Sequence, residues 1–467
     1  MKPFFAFEPV ASPLDRVANY GRSFRDIPRS LHPTQTAGEL REGFLKPLAA
    51  EGIPGDQVIE ELIAAAEPGL VGVTDPNFYA WVMGASDPIG VAADWLTSIW
   101  GQNAAFYQTS PAAAIAEEAV SAWLLDLLDL PREASVGLVT GASMAAFVGL
   151  AAARAEVLSR AGHSLETDGL QGAPLVHVYF SEDVHVTNLA ALRHLGFGER
   201  NFHAVAADGE GLMQLEALRA AMASDKGPKI VIAQAGHINS GGFEDISAIA
   251  ELVRAHNGWL HIDGAFGLWA RVLAEKAPLT RGIDLADSWS VDGHKWLQIP
   301  YDSGFAIVRN ARAHARVMDV SAGYLNTSPE DGRNPSTFNP ELSRRARGFA
   351  AWAVLRHHGR AGIERLVRGH CDTAAALAED LGQIPGLKVV NTVALNQIAL
   401  APSVPDDEKV RDLADRLNDT GNIFVRTCDW RGRLVLRLSV ISAHTGKDET
   451  GRLTETIRSI WLDLTGD

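Results

Sequence analysis

The residues best placed to do chemistry lie in the run from Asp287 to Val308, DSWSVDGHKWLQIPYDSGFAIV. It reads as a short strand, a polar turn ending in His294, Lys295 and Trp296, and a second apolar strand. A lysine held between two buried strands is costly unless it is paired or neutralised. One way to neutralise an amine is chemical, as a Schiff base with an aldehyde. Upstream, in WLHIDGAFG (259–267), Asp263 ends another short apolar strand and is followed by small residues. Alone, a turn lysine is ordinarily solvent-exposed, and an aspartate after a strand is ordinarily a cap or turn former. Together on successive strand ends, they match the two fixed points of a pyridoxal phosphate (PLP) site: an amine for the aldehyde carbon and a carboxylate for the pyridine nitrogen.

Such a pair needs a scaffold that brings strand ends together. In VGLVTGASMAAF (136–147) a strand, a Gly-containing turn and an Ala-rich helix follow one another, and Ala142 and Ser143 open the helix. Small residues there let backbone N–H groups reach an anion at the helix N-terminus, although any strand-to-helix connection can use them. Strands are predicted at Leu175–Phe180, Phe202–Ala206, Lys229–Ala235, Trp259–Asp263, Ser288–Val291 and Gly304–Val308, with helices between most of them, including Met213–Ala223 and Phe243–His256. This alternation predicts an α/β fold with a mostly parallel sheet covered on both faces. Ligands of such sheets bind at the carboxyl ends of the strands. Thr140–Ser143, His185, Gln234–Asn239, Asp263 and His294–Lys295 all fall there.

The flanking segments differ in character. Residues 1–75 are helical with Pro-rich breaks, apolar residues recurring at helical spacing in Ala37–Leu45 and Asp56–Glu67. An arm with so little core must pack on the next domain or on a second subunit. DPNFYAWVMG (75–84) is an aromatic patch that serves either as core or as a pocket wall containing Trp81. Ser110 and Pro111 mark a helix start as N-cap and first helical residue. Residues 319–341 are rich in Gly, Pro, Ser and Asn, and a loop of that length is usually a lid or functional loop. Helices at Leu342–His358 and Arg360–Leu381, then strands at Gly386–Asn391, Gln397–Leu400 and Leu434–Ser439, predict a small closing α+β domain.

Composition narrows the classes. With 467 residues, 46% hydrophobic and 21% charged, the chain is long enough for two or three domains around a large core. A net charge of −15 argues against nucleic acid or an anionic membrane as partner. No apolar run approaches the ~18 residues of a membrane span, and no signal peptide is read at the start. Two cysteines, Cys371 and Cys428, suit a reducing cytoplasm. Fifteen histidines show no metal-ligand spacing, so no metal is expected.

With these residues in hand, the chain resembles the fold-type I PLP-dependent group II amino-acid decarboxylases, which act on aromatic, histidine, glutamate, cysteine sulfinate or 2,4-diaminobutyrate substrates. The likeness runs from Pro76 to Val440, and HIDGA with GHKW at this spacing is its most specific part. It implies a seven-stranded large domain over residues 76–352, an N-terminal helical arm at 1–75 for dimerisation, and a small C-terminal α+β domain at 353–467. It implies PLP as cofactor, an L-amino acid as substrate, an amine and carbon dioxide as products, and a cytoplasmic homodimer. It further implies that Lys295 carries the cofactor, Asp263 pairs with the pyridine nitrogen, and Ala265 packs under the ring. His185 would stack on the ring, with Ala142, Ser143, Asp292 and His294 near the phosphate. Asn239, with His237 as the alternative, would lie near the ring hydroxyl. Tyr324 resembles the loop tyrosine that protonates the carbon left by carbon dioxide, and Arg437 an arginine that holds a substrate carboxylate. Trp81 and Asn103 are the remaining candidate substrate contacts. Asp75 and Tyr79 stand where such families often read His and Phe, and Asn103 and Ala105 where the aromatic type is apolar. The alternatives are other PLP chemistry on the same scaffold, aldehyde-forming decarboxylation or transamination, and a non-catalytic cofactor-binding protein.

Overall fold

Runs such as Lys229–Gln234 (KIVIAQ) are β-branched and apolar on both faces, and they sit in a sheet with both faces covered. The computed structural model describes residues 12–27, 29–320 and 332–466. A seven-stranded sheet is formed by β1 (Ser135–Val139), β2 (His177–Ser181), β3 (Phe202–Val205), β4 (Lys229–Gln234), β5 (Trp259–Asp263), β6 (Ser288–Asp292) and β7 (Gly304–Val308). Its order is β1-β7-β6-β5-β4-β2-β3. β3, β2, β4, β5 and β6 run parallel, whereas β7 is antiparallel to both β6 and β1.

The period-two rule divides each strand between two cores. Ile230 and Ile232 join Val178, Phe180 and Trp259 on the face covered by helix Ala142–Arg160. Val231 and Ala233 join Leu260, Ile262 and Trp289 on the other face, with helices Pro111–Leu127 and Ile246–Ala255. Helix Ala142–Arg160 is long and apolar enough to cross a membrane by length and composition, but it is packed against β5, β6 and β7.

A second sheet is wholly antiparallel, in the order β10-β11-β9-β8, from β8 (Leu387–Val389), β9 (Gln397–Pro402), β10 (Arg426–Trp430) and β11 (Arg433–Ser439). Its own core, including Ile398, Leu400, Leu436 and Leu438, packs against helices Asp407–Asp419 and Lys447–Thr465. β10 is absent from the sequence reading: Arg426-Thr-Cys-Asp-Trp lacks an apolar run because it is an edge strand. The two helices expected at 342–381 are one path from Gly348 to Gly382, broken at Gly359, whose φ of 57° belongs to the left-handed region. Residues 342–347 are not helical. Pro111 does open its helix, but the Ser110 hydroxyl makes no cap and instead lies 3.0 Å from Gln102 Oε1.

At the N-terminus, helices Pro13–Phe24, Ala37–Phe44 and Gly55–Ala66 follow the expected periodicity, and none of them buries a single residue.

Candidate active site

His185, Asn239, Asp263, Asp292, His294 and Lys295 converge where β2, β4, β5 and β6 end. Asp263 is the last residue of β5. Its Oδ2 accepts from Asn188 Nδ2 at 2.6 Å and its Oδ1 from the Ala265 N–H at 3.2 Å, so both oxygens are held in place. Asp292 ends β6. Its Oδ1 accepts from the Ala142 N–H at 2.5 Å and lies 3.4 Å from His294 Nε2; its Oδ2 is 3.1 Å from Lys295 Nζ. One carboxylate therefore ties the start of helix Ala142–Arg160 to the lysine turn.

That turn is pinned from two sides. A Cβ on Gly84 would run into the carbonyl oxygens of His294 and Lys295, so only glycine lets the 75–84 segment approach this closely. His294 Nδ1 accepts from the Ser303 N–H at 3.2 Å, and its ring stacks on Tyr301 with centroids 4.3 Å apart. Burial pushes the His294 pKa down, and that of Tyr301 up to about 12.

His185 caps helix Val186–His194: its Nδ1 accepts from the Thr187 N–H at 3.4 Å and lies 2.8 Å from Thr187 Oγ1. Burial lowers its pKa, with Lys295 and Arg437 adding to the effect against Asp263, so the ring is neutral near pH 7. A neutral imidazole presents a flat face without a charge.

A cleft of about 580 Å³ collects these groups. Lys295, His185, Asn239 and Arg437 line it, with Trp81, His237 and Trp430. Arg437, whose pKa burial lowers, donates through Nη1 to Asn239 Oδ1 at 3.1 Å and to the Ile238 carbonyl at 3.3 Å. His237 is buried, its pKa driven down to about 4, and its Nδ1 accepts from the Asn239 and Ser240 N–H groups, each at 3.3 Å. Asn103 is not brought to this cleft. It lines a separate one with Gln102, Arg344 and Arg345, and its Oδ1 accepts from the Arg344 N–H at 3.1 Å. Tyr324 lies outside the described residues.

Residues 38–401 match the family model described as the pyridoxal-dependent decarboxylase conserved domain. The chain belongs to this family. Among curated relatives, it is 28% identical to tryptophan decarboxylase 1 of Oryza sativa subsp. japonica over 92% of this chain and 88% of the relative. It is also 28% identical to an aromatic-L-amino-acid decarboxylase of Bacillus atrophaeus, over 90% and 88%. A phenylacetaldehyde synthase of Arabidopsis thaliana is 26% identical over 91% of this chain and 90% of its own. In fold, the chain superposes on the crystal structure of Oryza sativa TDC with PLP and tryptamine with a TM-score of 0.89 at 23% identity, covering 98% of this chain and all of that one. A Rhodiola rosea 4-hydroxyphenylacetaldehyde synthase gives 0.87 at 22% identity, covering 97% of each chain. As a member of this family the protein is a PLP-dependent amino-acid decarboxylase.

The residues present fit that cofactor. The N-cap Gly141 gives helix Ala142–Arg160 no capping side chain, so apart from the Ala142 N–H, which Asp292 takes, its positive end is left to an anion. A Cβ on the preceding Gly141 would come within 3.0 Å of His294 and 3.2 Å of Asp292, so glycine lets these two side chains close on the start of the helix. Around Asp263, two buried polar atoms have no hydrogen-bond partner among the described residues: Asn188 Oδ1, and Ser290 Oγ on its register neighbour in β6. Unmet polar groups at the end of a sheet mark a place built for a polar ligand.

Three contributors escaped the sequence reading. Asn188 carries no motif, and its only signal is the three-residue spacing from His185, one helical turn. Trp430 and Arg431 reach the cleft from the β10–β11 hairpin, which nothing local in the sequence links to Asp263. Arg431 pairs there with Asp183 at 3.3 Å and Glu182 at 3.1 Å.

Proposed function

We propose that the protein removes carbon dioxide from an L-amino acid with an aromatic side chain, leaving the amine. The observation that carries this reading is the single cleft in which Lys295, His185 and Arg437 meet two tryptophans, Trp81 and Trp430. The named relatives, most of which act on aromatic amino acids, support it.

When bound, PLP supplies the sink for the electron pair that remains as the carboxylate carbon departs. The chain supplies the rest. Lys295 Nζ would hold the cofactor by its aldehyde carbon. Asp263, fixed by Asn188, would keep a proton on the ring nitrogen. His185, neutral and capping its helix, would pack on the ring face. The N-terminus of helix Ala142–Arg160, with Ser143, would receive the phosphate, and Asn239 would serve the ring hydroxyl. Arg437 offers its guanidinium to a carboxylate. Tyr324 delivers the proton to the carbon that lost its carboxyl group.

The assembly in this reading is a homodimer. An apolar surface cleft of about 390 Å³ is lined by Leu96, Trp100, Ile115, Phe349 and Trp352, and Trp95 and Ile99 are exposed beside it. Together with three N-terminal helices that bury nothing, this surface suits a second copy of the chain. Residues 1–75 then act as an exchanged arm, 76–352 hold the cofactor and 353–467 close the cleft. Asn103, just beyond the apolar helix Pro88–Trp100, meets substrate only across that interface. Light scattering showing an active, PLP-loaded monomer contradicts this assembly.

A second reading, aldehyde formation with release of ammonia, is favoured by the two aldehyde synthases among the similar proteins. A screen of L-amino acids with the PLP-loaded protein, scoring carbon dioxide, amine and aldehyde, separates the two. Amine from aromatic substrates is expected; aldehyde as the main product assigns the second reading, and release of carbon dioxide only from acidic or basic amino acids overturns the aromatic assignment.

A further inference from the structure

At the opposite end of the sheet from Lys295, three metal-ligating side chains that the cofactor site does not use meet in space. His177 opens β2, His203 lies in the edge strand β3, and Asp225 follows helix Leu215–Ser224 on the way into β4. His177 Nδ1 and His203 Nε2 are 3.0 Å apart. Asp225 Oδ2 is 3.5 Å from His203 Nε2, and its Oδ1 is 3.9 Å from His177 Nδ1. We propose that His177, His203 and Asp225 form a binding site for a divalent zinc-class ion, with a solvent-facing fourth position.

The argument is geometric first. Tetrahedral bonds of about 2.0–2.1 Å place neighbouring donor atoms roughly 3.3 Å apart. The edges from His203 Nε2, 3.0 and 3.5 Å, bracket that value, while the 3.9 Å edge runs to the other carboxylate oxygen. With one atom from each residue the donors lie within 4.8 Å of one another, so an ion seats once the Asp225 carboxylate turns one oxygen inward. All the donors fit the same ion: two imidazole nitrogens and one carboxylate are an ordinary set for zinc.

The surroundings then orient those donors. His177 Nε2 lies 3.2 Å from the Lys226 carbonyl, which can only accept. Nε2 therefore carries the proton and Nδ1 keeps its lone pair toward the cluster, the arrangement that metal-bound histidines show. The His203 ring stacks on Tyr179 with centroids 4.6 Å apart, and the Tyr179 hydroxyl donates to Asp225 Oδ2 at 2.8 Å. One tyrosine thus sets both an imidazole plane and a carboxylate. The Lys229 ammonium lies close by, held by the Asp225 and Gly227 backbone carbonyls at 2.8 and 3.2 Å. His177 is buried while His203 and Asp225 are partly open, so an ion has an entry path.

Such an ion joins β2, the edge strand β3 and the entry to β4. Its effect is on the stability of that sheet edge rather than on turnover, since the cofactor residues all follow the carboxyl ends of strands.

The test uses the full-length PLP-loaded protein, stripped with chelator and titrated with Zn²⁺ alone, and with Co²⁺ as a spectroscopic stand-in. Expected are one equivalent of Zn²⁺ that raises the melting temperature, and Co²⁺ bands of tetrahedral intensity. His203→Gln, on an exposed edge and tolerant of substitution, should weaken that binding by at least the roughly 10–100-fold seen for supporting residues of metal sites. Tyr179→Phe, which keeps the ring stack but frees Asp225, should weaken it less. His163→Gln, a histidine elsewhere on the surface, should leave it unchanged. Failure of the wild type to bind either ion at micromolar concentration overturns the proposal. So does undiminished binding by a folded His203→Gln protein, which would place the ion elsewhere.

Discussion

Asn188 donates to Asp263 at 2.6 Å, and through that bond the helix behind His185 fixes the carboxylate at the end of β5. The same short helix thus presents the ring-stacking candidate and steadies the proposed partner of the ring nitrogen. Asn188→Ala removes the bond but leaves the charge, so PLP affinity and kcat should each fall about tenfold, as for other supporting residues. Asp263→Asn removes the charge as well, and kcat should fall on the order of 100-fold or more at saturating PLP. If the two variants are equally impaired, the charge on Asp263 does not matter and its role is positional.

Arg437 is buried in the cleft with two of its hydrogen bonds directed at Ile238 and Asn239. Loss of a charge-assisted bond of about 1.5–3 kcal/mol corresponds to roughly 10–100-fold in affinity. Arg437→Ala should raise KM by that factor with a smaller change in kcat. A large fall in kcat at unchanged KM would mean that Arg437 acts on the reacting atoms rather than on a substrate carboxylate.

Acid should weaken the fold. Burial holds His237, His261 and His370 down to about 4 and His314 to about 3, whereas the unfolded chain protonates each near the ordinary 6.5. In that window the unfolded state binds more protons, so the stability present above about pH 6.5 is lost as pH falls toward 4. Glu244, pushed up to about 8 by burial, works in the opposite direction, as do Glu117 and Asp287, which burial also raises, but His185, His203 and His294 are lowered as well and add to the first set. The melting temperature should drop steadily between about pH 7 and pH 5. The slope should be shallower in His314→Gln, where Gln can keep the bond that His314 Nδ1 makes with Ser135 Oγ at 2.9 Å. A flat profile, or one that rises on acidification, contradicts this.

Much of this arrangement was legible because it is local. Strand-ending residues such as Asp263 and Asp292 advertise themselves by following short apolar runs, and the helix break fell between His358 and Arg360 at Gly359, as the sequence suggested. What was not legible is either long-range or polar. Trp430 and Arg431 come to the cleft through the packing of a second sheet. β10 hides because an edge strand needs no apolar run. Asn103 was read as a substrate contact, but within one chain it lies away from the Lys295 cleft and its Oδ1 accepts from the Arg344 N–H. His177, His203 and Asp225 have no sequence spacing that signals a cluster, since strand pairing alone assembles them.

Tyr324 tests the fate of the carbon that loses its carboxyl group. Tyr324→Phe keeps the ring and removes the proposed acid. Amine should fall and aldehyde rise in the presence of oxygen, with KM little changed, because the hydroxyl matters after carbon dioxide has left. An unchanged amine-to-aldehyde ratio and rate would move the proton donor to His185 or Lys295.

The central claim is that Lys295 carries the cofactor in a decarboxylase, and carbon dioxide release by wild type and Lys295→Ala, both supplied with excess PLP, tests it most directly. The account predicts that the wild type releases one carbon dioxide for each amine formed, and that Lys295→Ala falls to background and loses the visible absorbance of the lysine-bound cofactor, because no other amine is positioned there. A folded Lys295→Ala protein that keeps both the absorbance and the carbon dioxide release would contradict it.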